Sequence, residues 1–167
     1  MVRLEQVLDS WKTVRQDTAQ SVIDMPAADL AFAPTPDMMS FDQIARHILN
    51  AGHALVMTLL AGTTDFSAPG IRESFKQHTP PLSETAPPAE IAAELTAWLD
   101  HDCEALAAMP AGFYSEIIKR LDGQPVTRLE MLQFVKEHEL THRSQMFVYL
   151  RLRGVVPPTT RRRLAKK

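Results

Sequence analysis

The chain has 167 residues, of which 45% are hydrophobic and 23% charged, enough for one globular domain with a real core. A net charge of −2 gives no general attraction to nucleic acid or to a membrane. The lone cysteine, Cys103, excludes an intrachain disulfide and suits a cytoplasmic protein; Glu5 and Asp9 interrupt any leader-like start, and the apolar runs are too short for a membrane span.

Residues 2–23 read as a first helix. Leu4, Val7, Leu8, Trp11, Val14, Arg15, Thr18, Val22 and Ile23 form its stripe, and Pro26 stops it. A second helix is predicted over 40–61. Ser40 and Gln43 make a capping box, Gly62 is the stop, and Ile44, His47, Ile48, Ala51, Leu55, Thr58 and Leu59 face inward. On this helix His53 points away from that face and is expected to be exposed. Residues 62–87 form a long connection, either a lid or a plain surface excursion, with a short helix at 71–77.

The third helix spans 88–109. Its inner stripe includes Asp102, which is expected at the edge of the stripe, reaching water, rather than buried beside a metal. Ile117 and Ile118, followed by Asp122 and Gly123, suggest an extended piece and a turn. The fourth helix, 127–153, opens with a second capping box, Thr127 with Glu130, and ends at Gly154; its inner stripe reads Met131, Phe134, Val135, His138, His142, Gln145, Met146, Tyr149 and Leu152. The simplest packing is an all-α, up-and-down four-helix bundle with one long loop between helices 2 and 3. This domain covers 1–158. Residues 159–167, with Arg161, Arg162, Arg163, Lys166 and Lys167, read as a basic, flexible tail.

His138, Glu139, Leu140, Thr141 and His142 spell H-E-x-x-H in the fourth helix. Residues four apart share a helix face, so the two imidazoles can bind one metal ion. A zinc peptidase with this string takes a third ligand downstream, yet Arg143 to Lys167 holds no Asp, Glu, His or Cys. If the pair holds a metal, the third ligand lies upstream, and inward-facing His47 fits; the alternative is that each histidine is a core residue hydrogen-bonded to a neighbour. Three imidazoles with an open position suit zinc, nickel, copper or iron. Glu139 is either a catalytic base or a surface partner of Arg143 one turn on. Tyr149 and Gln145 face the substrate or orient a ligand, or are ordinary core groups. His78 and His101 have no spacing that ties them to the site, and Cys103 reads as a small helix residue.

His138-x-x-x-His142-Arg143-x-Gln145, followed by Arg153-Gly154-Val155-Val156-Pro157-Pro158, resembles the C-terminal signature of the DinB/YfiT-like superfamily. The stretch from Ser40 to His47 is similar to its N-terminal histidine helix. Ser144 stands where that family frequently has Gly. The resemblance implies a four-helix bundle with a divalent metal, zinc or nickel, held by His47, His138 and His142. It also implies a homodimer and a metal-dependent enzyme acting on a small-molecule substrate. That enzyme would be a thiol-dependent S-transferase, using a low-molecular-weight thiol, or a hydrolase. The alternatives are a non-catalytic metal- or ligand-binding stress-response bundle and, disfavoured by the missing downstream ligand, a zinc peptidase.

Overall fold

The computed structural model describes residues 2–166; Met1 and Lys167, which the two expected segments include, lie outside them. Four long helices form: α1 Leu4–Asp24, α2 Phe41–Leu60, α4 Pro88–Ala107 and α5 Arg128–Leu152. Two short ones join them, α3 Ile71–Lys76 inside the long loop and α6 Pro158–Leu164. Both capping boxes are made. Ser40 and Gln43 exchange side-chain and backbone bonds at the start of α2, as do Thr127 and Glu130 at the start of α5. Gly62 and Gly154 adopt φ of 86° and 77° just past α2 and α5, the left-handed turn that ends a helix. The expected extended piece is a hairpin, β1 Ile117–Lys119 paired antiparallel with β2 Pro125–Thr127.

The predicted all-α four-helix bundle is what forms, but its helices do not strictly alternate. One apolar cluster joins the beginnings of α1 and α5 to the ends of α2 and α4; the other joins the opposite ends. The directions therefore run up, down, down, up. α1 and α2 each pack against both α4 and α5, which leaves α1 and α2 across a diagonal. Because α2 and α4 are parallel neighbours, the chain must return the length of a 20-residue helix, ~30 Å, between them. That return is the long loop. It is anchored where Phe66, fully buried, donates its N–H to the Lys119 carbonyl of the hairpin at 2.8 Å.

Between the two apolar clusters lies a polar waist. Glu139, 2% exposed, accepts from Arg15 Nε at 2.8 Å and Nη2 at 2.9 Å, from Trp11 Nε1 at 2.6 Å and from Thr18 Oγ1 at 2.9 Å. Arg15 also donates to the Leu95 carbonyl of α4. This corrects the expectation for Glu139: it is neither a surface partner of Arg143 nor free to act as a base. The stripe on α5 is accordingly centred on Met131, Leu132, Val135, Glu139, Met146, Tyr149 and Leu150, whereas Leu152 is 57% exposed.

Three further expectations change. His53 is buried, and Asp102 is buried beside it, with His53 Nδ1 2.7 Å from Asp102 Oδ1. α2 is covered on two sides, by α4 and α5, so a single inward stripe underestimates its buried face. The basic tail is not simply frayed. Pro158–Leu164 is helical, Arg161 pairs with Asp24 at 2.8 Å, and Arg162 pairs with the buried Asp17 at 2.6 Å.

Removing one partner of a buried ion pair leaves a charge without compensation, which costs about 3–5 kcal/mol. Glu139→Ala should therefore destabilise the protein by about that much in urea unfolding. The double change Arg15→Met, Glu139→Leu should cost clearly less than the sum of the two single changes. A Glu139→Ala cost below about 1 kcal/mol would remove the waist as a determinant of stability.

Candidate metal centre

Three imidazoles meet where α2 crosses α5. The Ser40 cap fixes the start of α2, and His47 follows about two turns later. His138 and His142 lie one turn apart on α5. His47 Nε2 is 3.2 Å from His138 Nε2, which is 3.1 Å from His142 Nε2. Two ligands held about 2.0–2.1 Å from one ion are separated by roughly 2.9 Å at a right angle and roughly 3.4 Å at the tetrahedral angle. Both observed separations fall inside that interval.

Gln145 sets the protonation of the cluster. Its Oε1 lies 2.8 Å from His142 Nδ1. A carbonyl oxygen only accepts, so Nδ1 is the donor, and in the neutral, metal-binding ring Nε2 is then the bare nitrogen. His138 Nε2 sits between that bare nitrogen and His47 Nε2. A single proton there cannot make two good bonds at once. If His47 donates instead, two bare nitrogens face each other at 3.1 Å. A cation among the three removes this conflict, so the donor set fits a metal. Burial, and then the charge of His142, lowers the pKa of His47; burial, and then the charges of His142 and His47, opposed by Glu139, pushes His138 down to about 4. Both are thereby held neutral at neutral pH, the form that binds metal.

A cavity of about 360 Å3 opens beside His47 and His138. Ala51, Ala54 and Leu55 of α2 and Phe134 of α5 form its floor and wall. Phe75 of α3 and Leu121 of the hairpin turn line its outer side. Arg72 and Lys76, one turn apart on α3, stand at its rim, and no acidic side chain lines it among the described residues. The loop residues carried no chemical motif in sequence. Their only signal was the short helix expected at 71–77, which does form.

The other candidates sort clearly. Gln145 touches the site through His142. Tyr149 does not take part: its hydroxyl donates to the Met39 carbonyl at 3.0 Å, and its ring packs on Phe32. Glu139 faces α1, whereas the imidazoles face α2. Asp102, His101 and His78 are outside the three-histidine group. Burial pushes the Cys103 thiol up to about 11, which makes it inert.

Solved structures share this fold at low identity. A DinB-like protein of Bacillus subtilis, YjoA, superposes with a TM-score of 0.69 at 20% identity, over 89% of this chain and 92% of that one. YfiT of Bacillus subtilis, described as a probable metal-dependent hydrolase with an unusual four-helix bundle topology, gives 0.66 at 17% identity, over 93% and 91%. A mycothiol-dependent maleylpyruvate isomerase gives 0.62 at 13% identity; the match covers 87% of this chain but 61% of that longer one. No functionally curated protein matches the sequence. No helix among the described residues is long and apolar enough to cross a membrane. The profile of the DinB superfamily matches residues 10–146, and the chain belongs to that superfamily.

Proposed function

We propose that this protein is a metal-dependent enzyme of the S-transferase or hydrolase type, acting on a small apolar molecule with an anionic group. The observation that carries this is the convergence of His47, His138 and His142, the first two of them lining an open, mainly apolar cavity whose rim bears Arg72 and Lys76. The relatives described as a probable metal-dependent hydrolase and a mycothiol-dependent isomerase support the class. Zinc or nickel suits three imidazoles, and a low-molecular-weight thiol with carboxylates suits the cationic rim. We also propose that the protein is cytoplasmic and works as a homodimer; Val148 and Leu152, exposed one turn apart on α5, offer an apolar face for a second copy.

A divalent ion at the centre supplies Lewis acidity, which lowers the pKa of a water or thiol and polarises an acceptor. The side chains do the rest. Gln145 keeps the His142 lone pair directed inward. Phe75, Phe134 and Leu121 give the cavity its apolar lining, and the small Ala51 and Ala54 leave room for the substrate. Arg72 and Lys76 draw an anionic end to the rim and leave the apolar end near the imidazoles. The peptidase mechanism loses its base, because the Glu139 carboxylate is bonded to Trp11, Arg15 and Thr18. A non-catalytic bundle would share the three ligands but show no turnover.

The test starts from protein purified without a metal-affinity step. Elemental analysis should find zinc or nickel, and a screen of thiol transfer and of ester or amide hydrolysis should give turnover that chelation abolishes and metal restores. His142→Ala should weaken metal binding severely and Gln145→Leu by ~10–100-fold. Arg72→Ala with Lys76→Ala should raise KM for anionic substrates with little change in kcat. Metal without any turnover would leave the non-catalytic reading.

Acid should expose the cluster in metal-free protein. His138 has a folded pKa of about 4, below the ordinary value of 6.5. Above pH ~6.5 it is neutral folded and unfolded and contributes nothing to pH dependence. Between the two values the unfolded chain takes up a proton that the fold refuses, so stability falls as pH falls. His138→Leu should flatten that part of the urea-unfolding profile; an unchanged slope would contradict the assignment.

A further inference from the structure

We infer that His53, His101 and Asp102 form a second divalent-cation site between α2 and α4, separate from the three-histidine centre. No ligand is shared with that centre. His47 and His53 are six residues apart on α2, the first turned to α5 and the second to α4. The proposal therefore does not depend on what the first site catalyses.

The three donor atoms lie within 4.8 Å of one another. Asp102 Oδ1 is the hub, 2.7 Å from His53 Nδ1 and 3.5 Å from His101 Nδ1. These separations bracket the roughly 2.9–3.4 Å expected for ligands sharing one ion at right-angled to tetrahedral geometry. A buried histidine–aspartate hydrogen bond alone accounts for His53 and Asp102. It does not account for His101, whose Nδ1 points at the same oxygen from a distance too long for a good hydrogen bond. An ion between the three explains all of them.

Burial supplies an entry path. His53 and Asp102 side chains are 8% and 3% exposed, whereas His101 is 58% exposed. Two ligands are held in the protein, and the third stands at the solvent side, where water can fill the remaining positions. Trp98 walls the group, its ring 4.4 Å from that of His53 and 5.6 Å from that of His101, and its Nε1 is fixed by Glu94 at 2.8 Å. Two imidazoles and one carboxylate favour zinc, nickel or copper over calcium or magnesium. An ion there would tie together α2 and α4, the parallel neighbours that only the long loop connects, so loading should raise thermal stability.

The experiment titrates metal-stripped protein with nickel, reading stoichiometry by calorimetry and quenching of Trp98 fluorescence. The wild type should bind two ions per chain, one for each group. His101→Ala, a change at an exposed side chain that the fold tolerates, should bind one and lose the Trp98 quench. His138→Ala should retain one nickel equivalent with the quench intact, whether or not the first site is catalytic. Trp98→Phe should keep both ions and lose the signal. The proposal is overturned if His101→Ala binds as many ions as the wild type, or if His138→Ala binds no nickel or shows no quench; a wild type that binds one ion, lost in His101→Ala and kept in His138→Ala, would instead remove the three-histidine centre.

Discussion

The rest of the structure depends on one buried carboxylate. Glu139 receives four hydrogen bonds from α1, two of them from the parallel fork of Arg15, and this fixes the rotation of α5 about its own axis. At ~100° per residue, His138 lies about 100° to one side of Glu139 and His142 about 60° to the same side. Once Glu139 faces α1, both imidazoles must face the adjacent quarter, where α2 packs. The glutamate inside H-E-x-x-H is thus a positioning residue: it aims the two imidazoles toward α2 while its own carboxylate stays with α1. The same five-residue string serves a different purpose here from the one it has in a peptidase, because its third side chain is consumed by the bundle.

A waist of this kind is costly in isolation. Burying two charges carries a desolvation penalty of several kcal/mol per ion, offset only when geometry and further hydrogen bonds are good. Trp11, Thr18 and the Leu95 carbonyl supply those bonds, so of the four long helices all but α2 contribute to the network. α2 enters the waist differently, through Gly52. A Cβ at Gly52 would lie 3.5 Å from Arg15 Nη2, ordinary contact distance, so the glycine leaves the guanidinium room without being strictly required. The apolar clusters above and below then seal the polar layer from water, which strengthens its bonds and raises the cost of breaking any one of them.

Much of this was legible in the sequence, and the misses share a cause. Capping boxes, Pro and Gly stops and the i, i+4 histidines are local signals; they located the four helices and, with the inward stripe of α2, the three imidazoles that meet. The partner of Glu139 lies 124 residues away on α1, and periodicity treats a glutamate as a solvent-facing residue. The stripe on α5 was therefore centred on the histidines and drew in Leu152, which is exposed. The same assumption put Asp102 at the surface, and a single inward stripe on α2 put His53 there, although each satisfies the other in the interior. Residue chemistry gives the face of a helix only when that helix has one neighbour; α2 and α5 each have two.

Helix direction was equally hidden, and it explains the cavity. An alternating bundle would join α2 to α4 by a short turn. With α2 and α4 parallel, the chain has to travel back along the bundle, and a segment of that length can fold a helix of its own on the way. α3 is that helix. It lies against α2 and carries Arg72, Phe75 and Lys76 to the edge of the space beside His47. The roof and its positive charge are consequences of a topological requirement, while the floor and the three imidazoles belong to the packed helices. Chemistry and specificity are thereby divided between rigid elements and a connection that can vary in sequence without disturbing the core, the arrangement expected where one fold hosts many activities.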